Sequence, residues 1–238
     1  MAEVPATADV VVIGAGIVGN SLVHHLTRLG WKNVVQIDKG ALPNPGGSTG
    51  HASNFIFTVD HSREITDLTL DSVAQYQEMG VFTQSGGFEV ARTEERMEEL
   101  RRRMSSAKAW GIEAELVSPD FVQEKVPFLD PDQIIGAFWT PTVGVVDSLR
   151  AGTIMREQAL ATGELTVVAG AEVEDLVVED GRIRSVVTDQ GTIEASYVVI
   201  AAGVWSPKLG DMAGIRIAIG LPLIVITVSG VGTSSLFW

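Results

Sequence analysis

Three glycines within residues 14–19 (GAGIVG) have the spacing of a dinucleotide-binding turn. In such a turn Gly14 permits a tight bend, Gly16 lets the backbone approach a pyrophosphate, and Gly19 allows a helix to pack closely on a strand. Asp38 follows about 20 residues later and can accept hydrogen bonds from ribose hydroxyls. An acidic residue at this place favours an ADP-ribose without a 2′-phosphate. The pattern therefore predicts a site for NAD or FAD.

A strand, a helix and a second strand must position this turn. The apolar, β-branched run at 9–13 predicts a strand that is buried on both faces, as in a parallel sheet. Residues 17–29 carry apolar side chains at helical spacing and precede Gly30, which predicts a helix with a glycine cap. The run 34–37 predicts the next strand and places Asp38 at its end. In this βαβ unit a pyrophosphate would lie at the helix N-terminus, where free N–H groups favour negative charge.

The remaining chain alternates between loops, helices and short strands. A stretch rich in proline, glycine and serine at 41–54 predicts a loop. The periodicity predicts helices at 62–80, 93–110 and 148–161. From residue 165 short strands with Asp-Gly and Gln-Gly turns predict an antiparallel meander that leads into a strand ending near Gly203.

Composition excludes several classes of protein. The chain has 238 residues, of which 45% are hydrophobic and 20% charged, so it can bury a core and is not disordered. Its formal net charge of −13 argues against binding to nucleic acid. Cysteine is absent, which excludes disulfides, thiolate nucleophiles, cysteine-ligated zinc and cysteine-ligated iron–sulfur clusters. The sequence predicts no metal site.

The two ends of the chain bear on its location. The N-terminal residues have no basic segment followed by an apolar core, so they do not resemble a secretory signal, and we expect a cytoplasmic protein. Residues 217–238 contain no charged side chain and are long enough to span a bilayer. Glycines, a proline and a β-branched run interrupt them, which favours a buried strand with an irregular end over a membrane helix.

Several motifs occur together in one order: GAGIVG at 14–19, VQIDKG at 35–40, PGGSTGHA at 45–52, the meander, and VVIAAGVW at 198–205. This set resembles the D-amino-acid-oxidase-type FAD-dependent oxidoreductases, and within them the dimethylglycine oxidase, sarcosine dehydrogenase and methylaminobutanoate oxidase branch. The resemblance extends from about residue 9 to about residue 223 and covers the N-terminal portion of those proteins. It implies an α/β fold in which residues 1–84 and 148–212 form a Rossmann-type FAD-binding domain. Residues 85–147 would be an inserted, incomplete α+β substrate domain, and 213–238 an atypical tail.

The resemblance also implies a reaction. A secondary or tertiary N-methyl amine such as sarcosine or dimethylglycine would lose a hydride from the carbon next to nitrogen to flavin N5, and the imine would hydrolyse. Oxygen or an electron-transfer carrier would reoxidise the flavin. No side chain is assigned as a general base, and no residue matches the substrate-side tyrosine of the family. Three alternatives stay open: a flavin-binding fragment without turnover, an NAD-dependent dehydrogenase, and a membrane-tethered form held through residues 217–238.

Contacts to FAD follow from the resemblance position by position. The histidine of the PGGSTGHA motif, His51, would carry a covalent bond to the flavin 8α-methyl group. The other implied contacts are Gly14, Gly16, Ile17, Val18 and Gly19 at the turn, Asp38 and Lys39 at the adenosine ribose, Ser48, Thr49 and Gly50 along the phosphates and ribityl chain, Phe55 near the flavin ring, Val173 at the adenine, and Gly203 and Trp205 beside the flavin.

Overall fold

The computed structural model describes residues 4–60 and 62–218. The strands are β1 (Thr7–Ile13), β2 (Val34–Asp38), β3 (Phe55–Ile56), β4 (Phe82–Gln84), β5 (Gly87–Ala91), β6 (Glu115–Val117), β7 (Gly136–Thr140), β8 (Gly144–Val146), β9 (Leu165–Ala169), β10 (Val173–Glu179), β11 (Arg182–Thr188) and β12 (Gly191–Ile200). The α-helices are α1 (Ile17–Arg28), α2 (Arg63–Glu78), α3 (Glu94–Trp110), α4 (Pro119–Lys125), α5 (Ser148–Ala161) and α6 (Ser206–Met212).

The chain divides into two compact units. The first contains the described residues up to Ala52 and from Asp147 onward, and the second contains Ser53–Val146. The sequence predicts an FAD-binding domain that includes residues 1–84, and this functional division stays a prediction. The compact units are divided at a different point, because residues 53–84 pack in the second unit.

A six-stranded sheet with the order β10-β11-β12-β1-β2-β9 forms the centre of the first unit. The strands β12, β1, β2 and β9 are parallel, and β10 and β11 extend the sheet as an antiparallel meander. The predicted α/β class with a Rossmann-like βαβ unit is confirmed. The predicted helix over 17–29 and strands over 9–13 and 34–37 agree with α1, β1 and β2 within two residues.

Strand β1 is buried on both faces. Val10 and Val12 pack in one cluster with Val23 of α1 and Ala159 of α5. Val11 lies in a cluster on the opposite face, which also contains Leu209 of α6. Because side chains alternate along a strand, cover on both faces requires an unbroken apolar run. The sequence of β1 therefore reflects its central place in the sheet.

The second unit contains two antiparallel sheets of three strands, with the orders β3-β8-β4 and β5-β7-β6. Leu100 of α3 and Phe138 of β7 belong to its core. Beside this core the Glu89 carboxylate accepts hydrogen bonds from Arg96 at 2.7 Å and Arg103 at 2.6 Å. The unit thus has an apolar core and a buried ion pair of its own.

The uncharged segment at 217–238 falls almost wholly outside the described residues, which end at 218. The strand predicted there, and most of the predicted atypical tail, therefore lie outside the described residues. Within 4–60 and 62–218, no helix has both the length and the apolar character needed to cross a membrane.

Candidate functional site

A cavity of about 500 Å³ opens where β1, β2 and β12 end. The carboxyl ends of parallel strands are the usual place for ligands in α/β sheets. The lining residues come from the glycine turn, the end of β2, the loop after it, and the segments beginning β10 and following β12. They are Ile13, Gly14, Gly16, Ile17, Val18, Ile37, Asp38, Lys39, Pro45, Gly47, Ser48, Thr49, Ala171, Glu172, Val173, Ile200, Ala201, Ala202, Gly203, Trp205, Ser206, Lys208, Leu209 and Ile217.

The glycine turn has the tight geometry that its sequence predicts. Gly14 has a φ of +119°, and a Cβ atom there would lie 2.3 Å from the carbonyl oxygen of Ala201. A Cβ atom at Gly19 would lie 2.0 Å from the carbonyl oxygen of Gly14, so this glycine allows α1 to approach the end of β1. Both positions exclude any larger side chain without a backbone shift.

Helix α1 begins without a cap from the side chain of its own N-cap residue, in contrast to α2, α3, α4 and α5. Ser62, Thr93, Ser118 and Asp147 each cap the helix that follows through their own side chain. The N-cap of α1 is Gly16, which has no side chain to do so. Instead, the hydroxyl of Thr49 accepts the N–H of Ile17 at 3.0 Å. The remaining N–H groups of the first turn and the helix dipole make this terminus suited to an anion.

Asp38 stabilises the glycine turn through hydrogen bonds to the backbone. Its carboxylate accepts the N–H of Ala15 at 2.7 Å through Oδ2 and the N–H of Gly40 at 2.8 Å through Oδ1. A carboxylate has about four acceptor sites, so ribose hydroxyls can still donate to it. Asp38 therefore joins the end of β2 to the turn and keeps acceptor capacity facing the cavity.

The loop after β2 forms a 3₁₀ turn over Ser48–Gly50. The hydroxyl of Ser148, the first residue of α5, donates to the carbonyl of Thr49 at 2.7 Å. His51 follows the turn and is exposed, with Nδ1 lying 3.0 Å from the carbonyl oxygen of Gly47. Because a carbonyl can only accept, a hydrogen bond at this contact requires the proton on Nδ1, and in that neutral tautomer Nε2 carries the lone pair.

Charged and aromatic side chains surround the cavity mouth. The ammonium of Lys39 lies 4.7 Å from the ring centroid of Trp205, within cation–π distance. Lys208 lies 3.4 Å from the Glu172 carboxylate. These residues place both signs of charge around a largely apolar interior.

The structure brings most of the predicted site residues to this cavity. Those that line it are Gly14, Gly16, Ile17, Val18, Asp38, Lys39, Ser48, Thr49, Val173, Gly203 and Trp205. Gly19 lies behind the turn, and Gly50 and His51 lie in or next to the 3₁₀ turn without lining the cavity. Phe55 belongs to β3 of the second unit, and its place near the flavin stays a prediction.

Sequence reasoning missed several contributors. Ala15 supplies an N–H to Asp38, and Ser148 anchors Thr49 across 99 residues of sequence. Glu172 and Lys208 also line the cavity. Ala15 and Glu172 had a signal, since Ala15 lies within the predicted glycine motif and Glu172 adjoins the predicted Val173, whereas the contact of Ser148 depends on tertiary packing.

The donors and acceptors of the cavity fit an ADP-containing dinucleotide. The first turn of α1 offers N–H groups beyond that of Ile17 for phosphates, Asp38 offers acceptors for ribose hydroxyls, and Val173 and Ile37 offer apolar walls. The cavity volume of about 500 Å³ lies within the range of small-molecule sites. The geometry by itself does not separate FAD from NAD.

Comparison with known proteins makes that distinction. The family model described as DAO, FAD dependent oxidoreductase, matches residues 9–232. This match extends beyond residue 223, near which the resemblance read from the motifs ends. Mouse mitochondrial sarcosine dehydrogenase is 31% identical over 90% of the chain and 24% of its own length. The mouse mitochondrial pyruvate dehydrogenase phosphatase regulatory subunit is 32% identical over 87% of the chain and 24% of its length. Rat mitochondrial dimethylglycine dehydrogenase is 29% identical over 87% of the chain and 25% of its length.

A solved structure has the same fold. The crystal structure of L-proline dehydrogenase from P. horikoshii superposes with a TM-score of 0.82 at 29% identity, covering 91% of this chain and 58% of that chain. The predicted similarity to the sarcosine and dimethylglycine branch is confirmed. The chain spans about a quarter of the length of these curated relatives.

Proposed function

The chain belongs to the DAO family of FAD-dependent oxidoreductases, and on that premise we propose that it oxidises a secondary or tertiary N-methyl amine such as sarcosine or dimethylglycine. The observation that carries the proposal is the cavity at the glycine turn and Asp38, in a chain that is similar to sarcosine dehydrogenase and dimethylglycine dehydrogenase. The family assignment does not favour an NAD-dependent dehydrogenase. The cytoplasmic location stays a prediction.

FAD would lie in this cavity with its diphosphate at the start of α1. The residues proposed to hold the diphosphate are Gly14, Gly16, Ile17 and Val18, with Gly19 allowing the close approach of α1. Asp38 and Lys39 would bind the adenosine ribose, and Val173 would contact the adenine. Ser48, Thr49 and Gly50 would follow the ribityl path, and Gly203, Trp205 and Phe55 would lie toward the ring.

When bound, the flavin supplies the acceptor for the hydride that leaves the carbon next to the amine nitrogen. The protein residues orient the cofactor and leave the chemistry to it. The Thr49 hydroxyl accepts the Ile17 N–H at the start of α1, and the Ser148 hydroxyl donates to the Thr49 carbonyl. These two hydrogen bonds connect the loop after β2 to α1 and α5 beside the proposed diphosphate site. Oxygen or an electron-transfer carrier would then take the electrons.

His51 is proposed as the attachment point for a covalent flavin. A hydrogen bond from Nδ1 to the Gly47 carbonyl favours the neutral tautomer whose Nε2 lone pair can act as a nucleophile. The side chain is exposed and follows the loop that lines the cavity. Cysteine, another residue able to bond a flavin, is absent from the chain.

Turnover can be tested by mixing FAD-loaded protein with sarcosine or dimethylglycine without oxygen. We expect the visible flavin band to bleach with at least one of these amines. Trimethylglycine is the matched control, because its quaternary nitrogen has no lone pair to assist hydride loss. Retained FAD with no bleaching by either amine would contradict the proposed reaction and support the alternative, a flavin-binding protein without turnover.

The covalent bond needs a separate test. We expect yellow colour to stay with wild-type protein precipitated in acid and to pass to the supernatant for His51→Ala. His25→Ala is the control, because His25 is a partly exposed histidine on α1, outside the loop that precedes His51 and lines the cavity. Colour that leaves the wild-type pellet would show that FAD is bound without a covalent link.

A further inference from the structure

Beneath the glycine turn, three buried polar side chains form a connected network. Asn20 donates through Nδ2 to the carbonyl of Ala15 at 2.9 Å. Gln36 donates through Nε2 to the carbonyl of Gly14 at 3.3 Å and to Oδ1 of Asn20 at 3.1 Å. Arg156 of α5 donates to the same Oδ1 at 3.4 Å. The network therefore reaches both carbonyl groups at the centre of the turn.

Holding these carbonyl groups fixes the direction of the N–H groups. A trans peptide is planar, with its C=O and N–H on opposite sides. The Gly14 carbonyl faces Gln36, and the N–H of the same peptide belongs to Ala15 and donates to Asp38 at 2.7 Å. The Ala15 carbonyl faces Asn20, so the N–H of Gly16 is directed away from the network, and Gly16 lines the cavity.

Arg156 brings a positive charge to the inner end of this network. The residue is 7% exposed, and no carboxylate within the described part of the chain forms an ion pair with it. Burial lowers the pKa of its guanidinium, and the charge of nearby Glu157 acts in the opposite direction without cancelling this effect. A buried cation without a paired anion is costly in a folded protein. A bound anion nearby would reduce that cost.

We propose that Asn20 and Arg156 are positioning residues for the dinucleotide diphosphate. Arg156 polarises the Asn20 amide, Asn20 holds the Ala15 carbonyl, and the Gly16 N–H on the other side of that peptide is presented to a phosphate oxygen. The buried charge adds to the favourable potential at the start of α1. This inference rests on the proposed binding of FAD, but not on any particular amine substrate.

The test is ligand selectivity, measured in a His51→Ala background so that binding stays reversible. Dissociation constants are determined for FAD, for ADP and for adenosine, which has no phosphate. We expect Asn20→Asp to weaken FAD and ADP binding about tenfold or more, because it removes the Nδ2 donor to the Ala15 carbonyl and adds a negative charge. We expect a similar loss for Arg156→Met, because the charge-assisted hydrogen bond to Asn20 Oδ1 is lost. Adenosine should change less than about twofold. Arg156→Lys keeps the charge and should recover part of the lost affinity.

Thr27→Val is the control, because Thr27 is also buried on α1 but bonds only to carbonyl groups of its own helix. Loss of affinity for adenosine in the same proportion as for ADP would indicate a general loss of structure and overturn the proposal. Unchanged affinity of folded variants for FAD and ADP would overturn it as well.

If the parent protein binds FAD but oxidises no amine, only the proposed reaction fails. If it binds neither FAD nor ADP, both proposals fail.

Discussion

Asp38 shows how one side chain serves structure and binding at the residue scale. Both of its carboxylate oxygens accept backbone N–H groups, from Ala15 and Gly40. In Asp38→Asn one of these oxygens is replaced by an NH₂ group, which would face a backbone N–H and cannot accept its hydrogen bond. We expect FAD affinity to fall about 10- to 100-fold, because hydrogen bonds to charged groups contribute about 1.5–3 kcal/mol. Fluorescence titration with FAD measures the change.

Asp130→Asn is the matched control for that substitution. Its carboxylate also accepts a backbone N–H, from Asp132 at 3.0 Å, and neither residue lines the cavity. We expect its FAD affinity to stay within about twofold of wild type. Equal losses in both variants would contradict a specific role for Asp38.

His24 makes the stability of the chain dependent on pH. Burial lowers the pKa of its imidazole, and the nearby His25 and Arg28 lower it further. Arg28 donates to Nε2 at 3.3 Å, which fits a neutral ring. With a folded pKa below the unfolded value of about 6.5, the unfolded state binds more protons, so stability is full above about pH 6.5 and falls below it.

The variant His24→Gln removes this titration. We expect the difference in unfolding free energy between wild type and variant to be constant above about pH 7.5. Below about pH 6.5 the wild type should lose stability relative to the variant, because protonation of His24 favours the unfolded state. Urea unfolding at several pH values measures it. A difference that does not change with pH would show that His24 has no lowered pKa.

At the scale of elements, the packing of α1 against the end of β1 depends on Gly19. The Cβ atom of Gly19→Ala would lie 2.0 Å from the Gly14 carbonyl oxygen, so helix or turn must move. We expect a loss of about 1–3 kcal/mol in unfolding free energy together with weaker FAD binding. Thermal unfolding with and without FAD measures both effects.

Gly47→Ala is the control for Gly19→Ala. Gly47 has a φ of −89°, which other residues adopt, and its added Cβ would lie 3.7 Å from the Trp205 ring. We expect its stability to stay within about 0.5 kcal/mol of wild type. A similar loss in both variants would contradict the close contact at Gly19 as the cause.

The elements of the first unit were predictable because their signals are local. The apolar run of β1, the periodicity of α1 and the position of Asp38 all lie within one short stretch of sequence. The cap of α1 by Thr49 joins residues 32 apart, and the contact of Asn20 with Arg156 joins residues 136 apart. The first contact forms only when the loop after β2 folds back onto α1, and the second only when α1 and α5 pack together, so no local pattern predicted them.

At the scale of the whole molecule, the second unit has its own stabilising core. Glu89 and Arg103 are 8% and 6% exposed at their side chains, and removal of Arg103 leaves the buried Glu89 carboxylate with Arg96 as its partner at 2.7 Å. We expect Arg103→Met to lower the free energy of unfolding by about 1.5–3 kcal/mol, because a buried hydrogen bond between charged groups is lost. Urea unfolding measures the loss. The control is Arg63→Met, which breaks the exposed ion pair with Asp67 and should lower the free energy of unfolding by about 1 kcal/mol or less. Equal losses of stability in the two variants would contradict the buried pair as the larger contributor.

Retention of FAD by the purified chain tests the central claim most directly. The 238-residue chain is expressed, supplied with FAD and freed of unbound ligand by gel filtration, and its absorbance spectrum is recorded. We predict flavin bands corresponding to about one FAD per chain. A folded protein that keeps no flavin and instead binds NADH would contradict the assignment of the cavity to FAD.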